Sequence, residues 1–150
     1  MIESVEIRKI IQNLLHSQRL AVLSTQMSGR PYSNLVAFAA TADLKEILIA
    51  TTRATRKFAN VIAEPRVSLL IDDRSNNERD FGEASAVTIL GTAEEVFGPE
   101  REQYRSIYLK KHQYLSDFVN SPTCALIRVT VEKFIMVTRF QEVREISPAP

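Results

Sequence analysis

The stretch Ile47–Leu70, ILIATTRATRKFANVIAEPRVSLL, decides the fold. It reads as a strand, a hydroxyl-rich turn, a short helix opening on Arg56 and Lys57, then Pro65 and a second strand. Thr55 stands where its hydroxyl can accept from the free N–H groups of a first helical turn, and Pro65 stops that helix at about Ala63. Phe58, Val61 and Ile62 give the helix an apolar face. A strand that delivers Ala50, Thr51 and Thr52 to a helix start is a grip suited to a phosphate. The helix end offers unpaired N–H groups and a partial positive charge. Arg56 and Lys57 add full charges. The plain alternative is a pair of solvated helix cations, since most surface cations hold no ligand.

Upstream, Ile7, Ile10, Ile11, Leu14 and Leu15 line one face of a helix over Val5–Ser17. Arg19–Thr25 and Tyr32–Ala40 read as a strand pair joined by the turn residues Ser28–Pro31. Glu46–Thr51 is the third strand and Arg66–Ile71 the fourth. The polar run Asp72–Glu83, DDRSNNERDFGE, reads as an exposed loop whose charges face solvent. Ala84–Phe97 is a fifth strand, in which Gly91 marks a bulge or a close backbone approach. Pro99–Lys111 is a helix with Tyr104, Ile107 and Tyr108 on one face, and Tyr114–Val119 adds a short helical piece. Thr123–Val131 and Lys133–Arg139 read as two further strands, with a short extension at Glu142–Ile146 and a frayed tail at Ser147–Pro150.

This order favours antiparallel pairing, lacks regular βαβ alternation and contains no GxGxxG loop, so a dinucleotide-binding Rossmann fold is a poor fit. The expected class is mainly β (α+β): a small antiparallel barrel of about six to seven strands with covering helices, as one domain over residues 1–150. A net charge of +1 disfavours nucleic acid as a partner. Hydrophobic content of 45% and charged content of 25% are ordinary globular values. The single cysteine, Cys124, excludes an intrachain disulfide and reads as a buried strand thiol. His16 and His112 have no ligand partners at metal-binding spacing, so no metal site is expected. His112, in KKHQYL, reads as solvent-facing. No signal peptide or membrane-length apolar run is present, which makes a soluble cytoplasmic protein the default expectation.

The segments LAVLST, GRPYSNLVAFA, ILIATTRATRKFANVIAEPRVSLLI and AVTILGTAEEV, in this order, resemble the pyridoxamine 5′-phosphate oxidase-like family of FMN-binding split barrels. The resemblance spans roughly residues 5–140. It implies an antiparallel split β-barrel, a homodimer of two such barrels with two FMN molecules in clefts between subunits, and a small-molecule substrate or electron donor. It places the FMN phosphate at Thr51, Arg56 and Lys57, with Ala50 and Thr52 beside them and Arg53 close enough to assist. It places the flavin ring along the second strand, near Ser33, Asn34, Leu35 and Val36. The slot for the ring falls either to Val36 and Phe38 or to Leu35 and Ala37 on the opposite face. Tyr32, Phe38, Phe58 and Phe134 otherwise read as plain core.

The chain departs from the family pattern in three places. A basic second-strand residue is replaced by Leu35. A fifth-strand glutamine falls near Ala86. The C-terminal Arg-x-His signature is missing, RFQEV standing at 139–143. These departures argue against pyridoxamine phosphate oxidation itself, and no catalytic side chain stands out. Arg139 reads as an ordinary exposed strand arginine. The implied activity is flavin-mediated hydride or electron transfer. The alternatives are a haem- or deazaflavin-binding member of the fold, or a non-enzymatic flavin-binding redox sensor using the loop 72–83 for contacts.

Overall fold

The structure, a computed structural model, describes residues 2–148. The chain runs α1 (Ile2–Ser17), β1 (Leu20–Met27), β2 (Arg30–Ala40), β3 (Glu46–Thr52), α2 (Arg56–Ala63), β4 (Arg66–Asp72), α3 (Asp80–Glu83), β5 (Ser85–Glu95), α4 (Gly98–Lys111), α5 (Ser116–Asn120), β6 (Cys124–Thr138) and β7 (Glu142–Ile146). The seven strands form one antiparallel sheet in the order β3-β2-β1-β4-β5-β6-β7, and β3 pairs back onto β6. Six strands thereby close into a barrel, while β7 extends the far half of β6. This is the mainly β antiparallel barrel that the element order implied, in the split form that the resemblance implied.

The β1–β2 hairpin turns on Ser28 and Gly29 alone, with φ of 52° and 80°. Two left-handed residues in a row match the twist of the flanking strands, so both strands run further toward the tip than turn composition suggested. The expected break between the sixth and seventh strands does not exist. One strand runs from Cys124 to Thr138, with Glu132 as the extra residue of a bulge: Leu90 faces Lys133, whereas Gly91 faces Val131. The bulge shifts the inside–outside alternation, and that shift is what makes the sequence read as two strands. Gly91 sits opposite the bulge. A Cβ there would lie 2.5 Å from the Thr130 carbonyl oxygen and 2.7 Å from Val129 Cγ1, so the close approach of β6 requires glycine.

The barrel interior is filled by Leu23, Phe38, Ile47, Ile49, Leu69, Ile89 and Phe134, closed by Ile7, Ile11, Leu14 and Leu15 of α1. Ile10, grouped with these by spacing, is exposed. Each fully buried aliphatic or aromatic side chain contributes about 1.5–3 kcal/mol. A second cluster lies outside the barrel wall, where Ala39, Leu48 and Leu126 meet Tyr108 and Val119 from α4 and α5. Arg128 fastens α4 to the wall by pairing with Glu94, Glu46 and Glu100.

Residues 72–83 are not a free loop. The Asp80 carboxylate accepts from the backbone N–H groups of Ser75, Asn76 and Asn77, and the segment ends in the one-turn α3. Arg139 is not on a strand: with Phe140 it makes the β6–β7 turn. The tail is held at Ser147, whose carbonyl accepts from Arg8 Nη2 at 3.1 Å. Ala149 and Pro150, expected to fray, lie outside the described residues. Among the described residues no helix is long and apolar enough to cross a membrane.

Candidate functional site

β2 and β3 pair only from Phe38–Ile49 to Ala40–Ile47. Toward the hairpin tip they part. β2 stays with β1, while β3 follows β6 as far as Thr52 opposite Cys124. The opening between them is the split of the barrel. One lip carries Ser33–Val36 and the other Ala50–Thr52, and α2 starts just beyond the second lip.

On the first lip, Val36 and Phe38 point into the barrel and are buried, so they do not line a ligand slot. Asn34 shares that inward side, and its Oδ1 is buried with no hydrogen-bond partner. Ser33 faces outward and shares a hydrogen bond with Ser24 at 3.1 Å. Leu35 faces outward too and is 64% exposed. Ala37, the next outward residue, is covered by the cluster beneath α4.

On the second lip, Ala50 packs into the same cluster. Thr51 is buried, and its hydroxyl is bonded to the Thr55 hydroxyl at 2.9 Å and to the Thr52 carbonyl at 3.2 Å. Thr55 in turn accepts from the Phe58 N–H, the N-cap expected from sequence. Thr51 therefore braces the helix start rather than presenting a free donor. Thr52 is partly exposed, and its hydroxyl makes no hydrogen bond among the described residues.

The two cations behave differently from their neighbour Arg53. Arg53 is occupied: it grips Glu95 at 2.5 and 3.4 Å and donates to the Pro122 carbonyl at 2.9 Å. That removes the assisting role the resemblance gave it. Arg56 lies over the Tyr32 ring, 5.4 Å from its centroid, with no carboxylate paired to it among the described residues. Lys57 is half-buried with no partner among the described residues, and burial pulls its ammonium below the usual lysine range. A cavity of about 750 Å³ between the hairpin and α2 is lined by Tyr32, Thr55, Arg56 and Asn60, among others. Thr51, Lys57 and Ser33–Val36 border the split and do not line this cavity. On α2, Ile62 is exposed and Asn60 takes the inward position, because its amide donates to the buried Thr25 hydroxyl at 3.0 Å.

The other end of the split is closed by α4. Tyr108 donates to the Ala37 carbonyl at 3.1 Å. Lys111 Nζ donates to the Leu15 and Gln18 carbonyls at 2.8 and 2.6 Å and sits 4.0 Å from the Phe38 ring centroid. Burial lowers its pKa to about 8. His112 is fully buried, not solvent-facing: Nε2 lies 2.7 Å from the Phe38 carbonyl and Nδ1 has no partner. Neutral imidazole with its proton on Nε2 fits that arrangement, and burial lowers the pKa accordingly. His16 is exposed in the last turn of α1. Among the described residues no cluster of three or more His, Cys, Asp or Glu could hold a metal. Cys124 is buried, and burial pushes its thiol up, away from nucleophilic use.

The family model described as pyridoxamine 5′-phosphate oxidase matches residues 7–138. The chain belongs to the pyridoxamine 5′-phosphate oxidase family. No curated protein matches it in sequence. Its fold is similar to that of a haem-binding protein from Mycobacterium smegmatis, with a TM-score of 0.80 at 16% identity over 91% of this chain and 55% of that one. The chain thus spans about half the length of that relative. The haem storage protein HutZ from Vibrio cholerae has a TM-score of 0.72 at 14% identity, covering 93% of each chain. A FAD-binding protein from Mesorhizobium loti has a TM-score of 0.65 at 21% identity over 89% of this chain and 90% of that one. At such identities the likeness is one of fold.

Proposed function

We propose that the chain is an FMN-binding oxidoreductase of the split-barrel type, with residues 1–150 as one cofactor-binding domain. The observation that carries this reading is Lys57: a half-buried ammonium at a helix start, with no counter-ion, next to an Arg56 equally free of carboxylates. A partly desolvated cation without a partner is unfavourable, and a dianionic phosphate supplies the missing charge. The N–H groups at the start of α2 point the same way. Thr52 offers a free hydroxyl, while Thr51 and Thr55 hold the helix end in place for the phosphate. Asn34, whose buried Oδ1 lacks a donor, suits a hydroxyl or N–H of the bound cofactor. Leu35 and the backbone of Ser33–Val36 would meet the ring edge. When bound, FMN supplies the two-electron chemistry; the protein holds it, orients it and excludes water.

A second copy of the chain is the partner this reading calls for. Leu35, Val22, Leu70, Thr88 and Ile135 form one cross-strand row on the outward face of five strands, with no charge in it. Ser33, Ser24 and Ser68 run beside it. Such an uncharged face suits a self-complementary, two-fold contact, and it begins at Leu35, beside the split.

Haem is the second reading, favoured because two of the similar folds belong to haem-binding and haem-storage proteins. Against it, His112 is spent on Phe38 and His16 lies on the outer end of α1. The visible spectrum of freshly purified protein separates the readings. Flavin maxima support the first and a Soret band the second. Calorimetric titration with FMN then tests the site: unchanged affinity after joint replacement of Arg56 and Lys57 by alanine overturns it.

A further inference from the structure

A second cavity, of about 550 Å³, lies where the C-terminal ends of α1 and α4 meet the β2–β3 turn. Gln12 and His16, one turn apart on α1, form one side of it, and Ile107 and Lys111, one turn apart on α4, form the other. The floor between them is small and aliphatic: Leu15, Ala39 and Leu44, all buried. Leu44 reaches it from a left-handed position in the turn, at φ of 62°. Ile107 shares a helical face with Tyr104 and Tyr108, but only the two tyrosines pack on the barrel wall. Ile107 stays 37% exposed and borders the cavity instead. The volume falls within the range of small-ligand sites, about 300–1,000 Å³.

The rim is basic. Two ammonium groups, Lys110 and Lys111, and the His16 imidazole line the cavity, and among the described residues no Asp or Glu does. Asp43, in the turn itself, is spent on the Thr41 hydroxyl and the Lys45 N–H. Cations in a last helical turn offset the carbonyl end of the helix dipole, and Lys111 does so directly through the Leu15 and Gln18 carbonyls. Lys110 and His16 bond to no acceptor among the described residues. Lys111 has no carboxylate beside it either, and the burial that lowers its pKa leaves its ammonium short of counter-charge.

The same lining narrows the ligand. Neither an arginine fork nor a helix N-terminus reaches the cavity, whereas two carbonyl ends do, so a dianionic phosphate is poorly served. No Phe or Tyr lines it among the described residues, so a nucleobase or flavin ring finds nothing to stack on. A single negative charge on a saturated chain suits both halves, with point charges at the rim and aliphatic surface on the floor.

We propose that this cavity binds a straight-chain aliphatic monocarboxylate, its carboxylate paired with Lys110 beside Lys111 and its tail laid on Leu15, Leu44 and Ile107. The site shares no lining residue with the cavity beside Arg56, and none with the uncharged row that begins at Leu35. It therefore stands whether or not a flavin occupies the split.

The test titrates octanoate, below its micelle-forming concentration, into the full chain by calorimetry and amide NMR. Octanoate binds and shifts the amides of Leu15, Ala39 and Leu44. Octyltrimethylammonium, with the same tail and the opposite charge, binds at least about tenfold more weakly. Acetate, with the same head and no tail, also binds at least about tenfold more weakly. Lys110 and Ile107 are exposed, so Lys110→Glu and Ile107→Gln keep the wild-type Tm. Lys110→Glu weakens octanoate by about tenfold or more and Ile107→Gln by a few fold. Added FMN leaves octanoate affinity unchanged. The proposal is overturned if octanoate fails to bind, if the cationic amphiphile binds as well, or if Lys110→Glu leaves affinity intact. It is also overturned if the shifts fall around Leu35 and Leu70, or if FMN competes with octanoate, since the carboxylate would then be borrowing the phosphate site.

Discussion

The two ends of the split carry similar side chains in opposite states. At the α2 end stand Arg56, Lys57 and Thr52, and none of them is bonded by its side chain to an acceptor among the described residues. At the α4 end stand Tyr108, Lys111 and His112, and all three reach backbone carbonyls of β2 or α1. Residue type does not distinguish a binding end from a braced end. Commitment does. A donor already spent on a carbonyl holds the scaffold, whereas a half-buried donor with no acceptor leaves a charge for something else to meet.

The largest expected effect falls at the uncommitted end. Replacing Arg56 and Lys57 together with alanine lowers FMN affinity by about 100-fold or more, since each charge-assisted contact is worth roughly 1.5–3 kcal/mol. The same variant keeps its thermal midpoint. A loss of folding comparable to the loss of binding would erase the contrast between the ends.

The braced end gives the reverse pattern. Tyr108→Phe strands the Ala37 carbonyl and costs about 1–2 kcal/mol in a urea titration, with FMN affinity changed only a few fold. His112 adds a pH signature. Its folded pKa is lowered by burial from an ordinary 6.5, so its contribution is fully present above about pH 6.5. That contribution is lost as pH falls through the lowered folded value, because the imidazolium needs a partner at the bare Nδ1. Urea midpoints taken from pH 7.5 down to 5 should drop, and His112→Gln should flatten that part of the curve. The smallest effect is at Arg53. Arg53→Ala removes a partly exposed pair with Glu95 and costs about 1 kcal/mol or less, with no change in FMN titration. A marked loss of affinity would return Arg53 to the site.

The local signals in the sequence were those that short-range chemistry controls. The Thr55 cap, the Pro65 stop, the hairpin and the tight spot at Gly91 were all legible. What escaped depends on partners far along the chain. Ile62 has core spacing on α2, but the bond from Asn60 to Thr25 turns the helix so that the amide faces in. His112 sits among lysines and glutamine, a surface-like context, yet the Phe38 carbonyl draws it inside. The bulge at Glu132 hid the continuity of β6.

The long sixth strand has a consequence for synthesis on the ribosome. β3 is made early, but its free edge is satisfied only by residues 124–130, made more than seventy residues later. Until then the nascent barrel stands open along β3, exposing Leu48 and Ile49 and a row of unpaired amides. Nascent chains arrested before Cys124 should therefore be protease-sensitive and prone to self-association, and emergence of residues 124–130 should shut the seam in a single step.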